Sequence, residues 1–125
     1  REAWDFSCGR KLDEALLEEI LAELKKPQYD GMTILGGEPF ELSNQYGVEG
    51  LVRAVRERAP GKSIWAYTGC RYEEDLTPGG HRHTYSTDYI LDNIDVLVDG
   101  PFIEEQKDLM LEFRGSRNQR ILRLK

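Results

Sequence analysis

The chain has 125 residues, 39% of them hydrophobic and 32% charged, with a formal net charge of −6 at pH 7. That length admits one domain over residues 1–125 and excludes a second independent core, while the apolar content excludes a disordered tail. No apolar run approaches the roughly 18 residues that span a bilayer, and Arg1-Glu2-Ala3-Trp4-Asp5 carries no leader pattern, so a soluble cytoplasmic protein off the membrane is expected.

Leu12, Leu16, Leu17, Ile20, Leu21 and Leu24 recur at helical spacing, with Asp13, Glu14, Glu18, Glu19 and Glu23 on the opposite face. Lys25-Lys26-Pro27 closes this amphipathic helix, because proline lacks the donor that would continue the ladder. Met32-Thr33-Ile34-Leu35 is too short and apolar for a helix and reads as a buried strand between Gly31 and Gly36-Gly37. A second helix runs from Val48 to about Ala59, ended by Pro60-Gly61, and Ile64-Trp65-Ala66-Tyr67 repeats the strand pattern. After the turn formers Thr77-Pro78-Gly79-Gly80, a short helix around Tyr89, Ile90 and Ile94 leads into the strand Val96-Leu97-Val98, and Ile121-Leu122-Arg123-Leu124 is a final strand. Strands alternating with single helices predict right-handed crossovers and an α/β fold with a parallel sheet. Trp4-Asp5-Phe6 is followed by a helix, so the sheet is expected to lack a leading strand within this sequence.

Open parallel sheets bind ligands beyond the carboxyl ends of their strands. Three loops lie there: Gly36-Gly37-Glu38-Pro39, Thr68-Gly69-Cys70 and Asp99-Gly100-Pro101. The paired glycines let backbone approach a ligand closely, and the Glu38 carboxylate is suited to accept from an ammonium group. A plain strand-to-helix turn with a solvated glutamate accounts for the same residues. Asp99, ending a fully apolar strand, is a weaker candidate.

Cys8 and Cys70 are too few for a disulfide framework, a four-thiolate zinc site or a three-thiolate cluster. Cys70 reads as a buried free thiol. His81 and His83 flank Arg82 and in an extended segment would point the same way, yet two ligands make no metal site. Arg114, Arg117, Arg120, Arg123 and Lys125 form a basic C-terminal stretch without an acid, a candidate docking surface for an acidic partner. A pI near 5.0 argues against nucleic acid. Glu104, Glu105 and Asp108 read as ordinary solvation, and Glu73, Glu74 and Asp75 are discarded as paired carboxylates for acid–base work, since adjacent helical residues do not face one another.

Trp4-Asp5-Phe6, Leu35-Gly36-Gly37-Glu38-Pro39, Trp65-Ala66-Tyr67-Thr68-Gly69, the run from Asp95 to Ile103 and the run from Phe113 to Arg120 occur in that order. Together they resemble the activating proteins of anaerobic (class III) ribonucleotide reductase, within the radical S-adenosylmethionine superfamily. The resemblance implies a partial, incomplete parallel α/β barrel. It also implies an oxidoreductase in which a 4Fe–4S cluster, bound by a CxxxCxxC loop, passes an electron from a donor such as flavodoxin to S-adenosylmethionine, generating a glycyl radical on the reductase. By matching motif, Gly36, Gly37 and Glu38 would hold the methionine amino group, Thr68 and Gly69 would line the pocket, and Asp99 would wall it. Arg114, Arg117, Asn118 and Arg120 would meet the reductase. No CxxxCxxC loop stands in this sequence, so the cluster loop and a first strand are expected upstream of Arg1, and the 125 residues alone are expected to be inactive. The rival expectations are a non-catalytic module that binds S-adenosylmethionine or the reductase, and an activase of another glycyl-radical enzyme.

Overall fold

The computed structural model describes residues 2–7, 14–35, 38–101, 103–107, 114, 116 and 118–124. Its element order is β1 (Glu2–Ser7), α1 (Glu14–Leu24), β2 (Tyr29–Leu35), α2 (Leu42–Arg58), β3 (Ser63–Tyr67), α3 (Tyr85–Asn93), β4 (Val96–Asp99) and β5 (Arg120–Arg123). A single π-helical turn, Tyr72–Leu76, lies between β3 and α3.

The five strands form one sheet in sequential order, β1 to β4 parallel and β5 antiparallel to β4. Two expectations are corrected here. The segment around Trp4-Asp5-Phe6 is itself a strand, pairing Ala3 with Gly31 and Ser7 with Leu35, so the sheet has a leading strand inside this sequence. The last strand reverses the parallel pattern: β5 runs antiparallel to β4, a pairing that needs no crossover helix.

Helices joining sequential parallel strands by right-handed crossovers fall on one face, and α2 accordingly packs between α1 and α3. That face holds the core: Ile20, Leu21 and Leu24 of α1, Met32 and Ile34 of β2, Leu51, Val52 and Val55 of α2, Ile64 and Ala66 of β3, Ile90 of α3 and Leu97 of β4. Residues 31–34 and 96–99 are buried without interruption, as parallel strands covered on both faces require. In β3 burial alternates, leaving Trp65 and Tyr67 half-buried on the other face.

The helix α2 begins at Leu42, earlier than its apolar periodicity predicts, because backbone bonds from Asn44 and Gln45 to the Glu41 carbonyl start the ladder there. Its basic residues Arg56 and Arg58 sit in the last turn, where the macrodipole favours them, and Pro60 follows. Gln45, only 1% exposed, ties the start of α2 to the loop before α3. Its amide nitrogen donates to the carbonyls of Phe40 and Arg82 at 2.9 and 2.6 Å, and its oxygen accepts from the Thr84 and Thr87 hydroxyls. Among the described residues no helix is long and apolar enough to cross a membrane.

Candidate functional site

The carboxyl ends of β2, β3 and β4 lie side by side, because these strands are neighbours in register: Thr33 beside Trp65, and Trp65 beside Val96. Glu38 leaves β2, Thr68 and Gly69 leave β3, and Asp99 ends β4. All four therefore stand at the same end of the sheet. Gly36, Gly37 and Arg117 lie outside the described residues.

The Glu38 carboxylate is held by three donors. Its Oε2 accepts from the Phe40 amide at 2.9 Å and the Thr68 hydroxyl at 2.5 Å, and its Oε1 accepts from the Gly69 amide at 2.7 Å. Thr68 is thus an orienting group: its buried hydroxyl donates to Glu38 and accepts from the Cys70 amide at 3.0 Å. A carboxylate oxygen accepts two hydrogen bonds, so Oε1 keeps room for one further donor. The half-buried Glu38 carries the arrangement an ammonium ligand needs, an anion already aimed and only partly satisfied.

Asp99 is 1% exposed and its oxygens are taken. Oδ1 accepts from Arg120 Nε at 2.9 Å; Oδ2 accepts from Arg120 Nη2 at 2.6 Å and from the Tyr72 amide at 2.8 Å. The same guanidinium grips both oxygens of Glu73, at 3.1 and 2.6 Å. These hydrogen bonds push the Arg120 pKa further above its ordinary high value and hold the Glu73 carboxyl below the usual range. Arg120, Glu73 and Asp99, with Arg71, Glu74, Gly100 and Asn118, line a polar cavity of about 290 Å³ at this end of the sheet.

The loop after β4 is clasped by the C-terminal segment. Asn118 Nδ2 donates to the Pro101 carbonyl at 2.7 Å, Gln119 Nε2 donates to the Gly100 carbonyl at 3.0 Å, and Ser116 accepts from the Ile103 amide. Gly100 has φ of +101°, a conformation that favours glycine, and its amide donates to the Cys70 carbonyl at 2.8 Å. Asn118 and Arg120, expected to face a partner, thus commit most of their polar groups within the chain.

The remaining candidates are placed elsewhere. Burial pushes the Cys70 thiol pKa up, so it is a sheltered thiol and no reactive thiolate. His81 pairs with Asp75 at 3.1 Å and His83 with Asp88 at 2.9 Å, so the two imidazoles serve different carboxylates and do not converge. Among the described residues no group of three or more His, Cys, Asp or Glu is arranged to hold a metal ion. Glu73 and Asp75, set aside as an acid–base pair, are engaged within the chain: Glu73 bonds Arg120, and Asp75 accepts from the Arg71 amide at 2.8 Å. No local pattern announces the Glu73 partnership, which spans 47 positions of sequence.

A family model described as a 4Fe-4S single cluster domain matches residues 1–122. A Haemophilus influenzae protein is 36% identical over 127 residues, covering 100% of this chain and 77% of its own length. A Vibrio cholerae protein is 37% identical over 125 residues, covering 98% and 76%, and an Escherichia coli K12 protein 31% identical over 121 residues, covering 95% and 73%. All three carry the name anaerobic ribonucleoside-triphosphate reductase-activating protein. No solved structure matches the chain. Similarity of this extent along nearly the whole sequence settles the matter of kinship: the chain belongs to the family of anaerobic ribonucleoside-triphosphate reductase-activating proteins.

Proposed function

We propose that this chain is the S-adenosylmethionine-binding body of an activase that installs a glycyl radical on an anaerobic ribonucleoside-triphosphate reductase, and that Glu38 receives the methionine amino group. The observation that carries this reading is the Glu38 carboxylate, fixed by Phe40, Thr68 and Gly69 with acceptor capacity left on Oε1. An ammonium placed there is oriented by a preorganised anion, which is what a reaction at the adjoining sulfonium requires. The relatives' shared name supports the reductase as partner. The sequential strand order with helices on one face supports a partial barrel of radical S-adenosylmethionine type formed by one domain over residues 1–125.

The iron–sulfur cluster implied by the family model finds no fitting ligand set in these residues. The sequence has two cysteines, and the described one, Cys70, is buried with its thiol pKa raised. No step is therefore derived through a cluster. Bound by other ligands, it would supply the electron that cleaves S-adenosylmethionine, itself refilled by a cytoplasmic donor such as flavodoxin.

Calorimetric titration of S-adenosylmethionine tests the reading. Glu38→Ala is expected to weaken binding by about 1.5 kcal/mol or more, the scale of a charge-assisted hydrogen bond; unchanged affinity removes Glu38 from the site. The cysteine count favours a second reading, a module that binds S-adenosylmethionine without chemistry. In that case the Glu38 effect persists, and anaerobic treatment of the full natural gene product with iron and sulfide develops no cluster absorbance.

A further inference from the structure

We infer that Arg120 is a positioning residue of the Glu38 site, acting through Asp99 and the turn at residues 68–72. The inference rests on the proposed role of Glu38 and extends it to a residue whose bonds go to Asp99 and Glu73 and not to Glu38.

Two of the three donors on Glu38, the Thr68 hydroxyl and the Gly69 amide, belong to the segment that follows β3. That segment has no regular secondary structure between Tyr67 and Tyr72 to stiffen it, so its position depends on other restraints. The structure shows three from the β4 side. The Thr68 amide donates to the Val98 carbonyl at 2.9 Å. The Gly100 amide donates to the Cys70 carbonyl at 2.8 Å, and the Tyr72 amide donates to Asp99 Oδ2 at 2.8 Å. A carboxylate torsion is free to turn unless something fixes it. Arg120 fixes Asp99 by a two-point grip, Nε to Oδ1 and Nη2 to Oδ2, and from its other edge fixes Glu73, inside the π-helical turn that continues the same segment. Four of the five guanidinium N–H groups are thereby engaged. One planar cation on β5 thus anchors the C-terminal end of this segment, at Tyr72 through Asp99 and at Glu73 directly, a few residues beyond the Thr68 and Gly69 donors to Glu38. A flexible ammonium has no such fork, so lysine keeps the charge and loses the geometry.

The exposed ion pair of Arg58 with Glu18, at the far end of α2, gives the control. Arg120→Lys leaves Asp99 with a neighbouring cation, which protects folding where Arg120→Ala risks an uncompensated buried charge. In Arg120→Lys, hydrogen exchange at the Gly69 and Tyr72 amides is expected to accelerate while the Ile64 and Leu97 amides stay protected, with Arg58→Lys changing neither. S-adenosylmethionine affinity should fall about fivefold. Because both changes act through the same segment, Arg120→Lys should cost clearly less in a Thr68→Ala background than in the native chain. Equal cost in both backgrounds, or unaltered exchange at Gly69 and Tyr72, overturns the inference. The exchange readout needs no ligand, so it separates the cases: Glu38→Ala without effect on affinity defeats the Glu38 reading, whereas a normal Glu38 effect beside a silent Arg120→Lys defeats this inference alone.

Discussion

Gln45 shows how one side chain decides local structure. A glutamine on the inward face of α2 would be an error of patterning if it were unpartnered, yet all its polar capacity meets carbonyls and hydroxyls from the loops on either side. Gln45→Ala takes a donor from the Phe40 and Arg82 carbonyls and an acceptor from the Thr84 and Thr87 hydroxyls, of which the hydroxyls keep each other and the Arg82 carbonyl keeps Thr87. It is expected to cost about 3 kcal/mol, read as a lower urea midpoint with an unchanged slope. Gln45→Glu should cost no less, because a carboxylate offers nothing to the Phe40 and Arg82 carbonyls; a tolerated glutamate would mean that these carbonyls do not depend on the Gln45 amide nitrogen. Sequence gave no hint of this residue, since an amide at one helix position carries no signature of what surrounds it. Glu38 was legible because two glycines and a proline bracket it, but the Thr68 hydroxyl that aims it comes from another strand, and no spacing encodes that pairing.

At the scale of elements, strand positions were readable where burial is complete. The runs at 32–34 and 96–98 are buried without interruption and carry one polar side chain between them, Thr33. The stretch from Glu2 to Ser7 mixes acids with aromatics, so its place as an edge strand beside β2 was not visible in its pattern. Equally, an apolar tetrad such as Ile121 to Leu124 states that a strand exists and says nothing of its direction. The pairing of β2 with β3 depends on Gly31, where an added Cβ would stand 2.1 Å from Ser63 Oγ and 2.3 Å from the Ser63 carbonyl oxygen. Gly31→Ala must push the strands apart at that point. A loss of about 1–3 kcal/mol is expected, measured as a drop in thermal midpoint, and an unchanged midpoint would show that the two backbones do not approach so closely.

Across the whole molecule, the net charge of −6 is locally organised by cations set against acids. Arg58 lowers the pKa of Glu18, Ser86 and then Arg53 lower that of Glu49, and Arg120 lowers that of Glu73. A depressed folded-state pKa means that the stabilisation is complete above the unfolded value, about 4.3 for glutamate, and is lost as pH falls through the folded values. Thermal melts from about pH 7 down to about pH 3 should therefore be level at first and decline below about pH 4.3. A variant with glutamine at positions 18, 49 and 73 should decline less steeply; an identical slope would assign acid sensitivity to other groups. Basic residues near the C-terminus that suggested an outward docking face prove in part to look inward, with Arg120 reaching back to Asp99 and Glu73. The antiparallel return of β5 has a consequence for biosynthesis. A ribosome makes β1 to β4 and their helices before Arg120 is added, so the nascent chain can bury its core while the mouth of the sheet is still slack. Until then the buried Asp99 carboxylate lacks its cation, and the cavity takes its final shape only once Arg120 reaches back to Asp99 and Glu73.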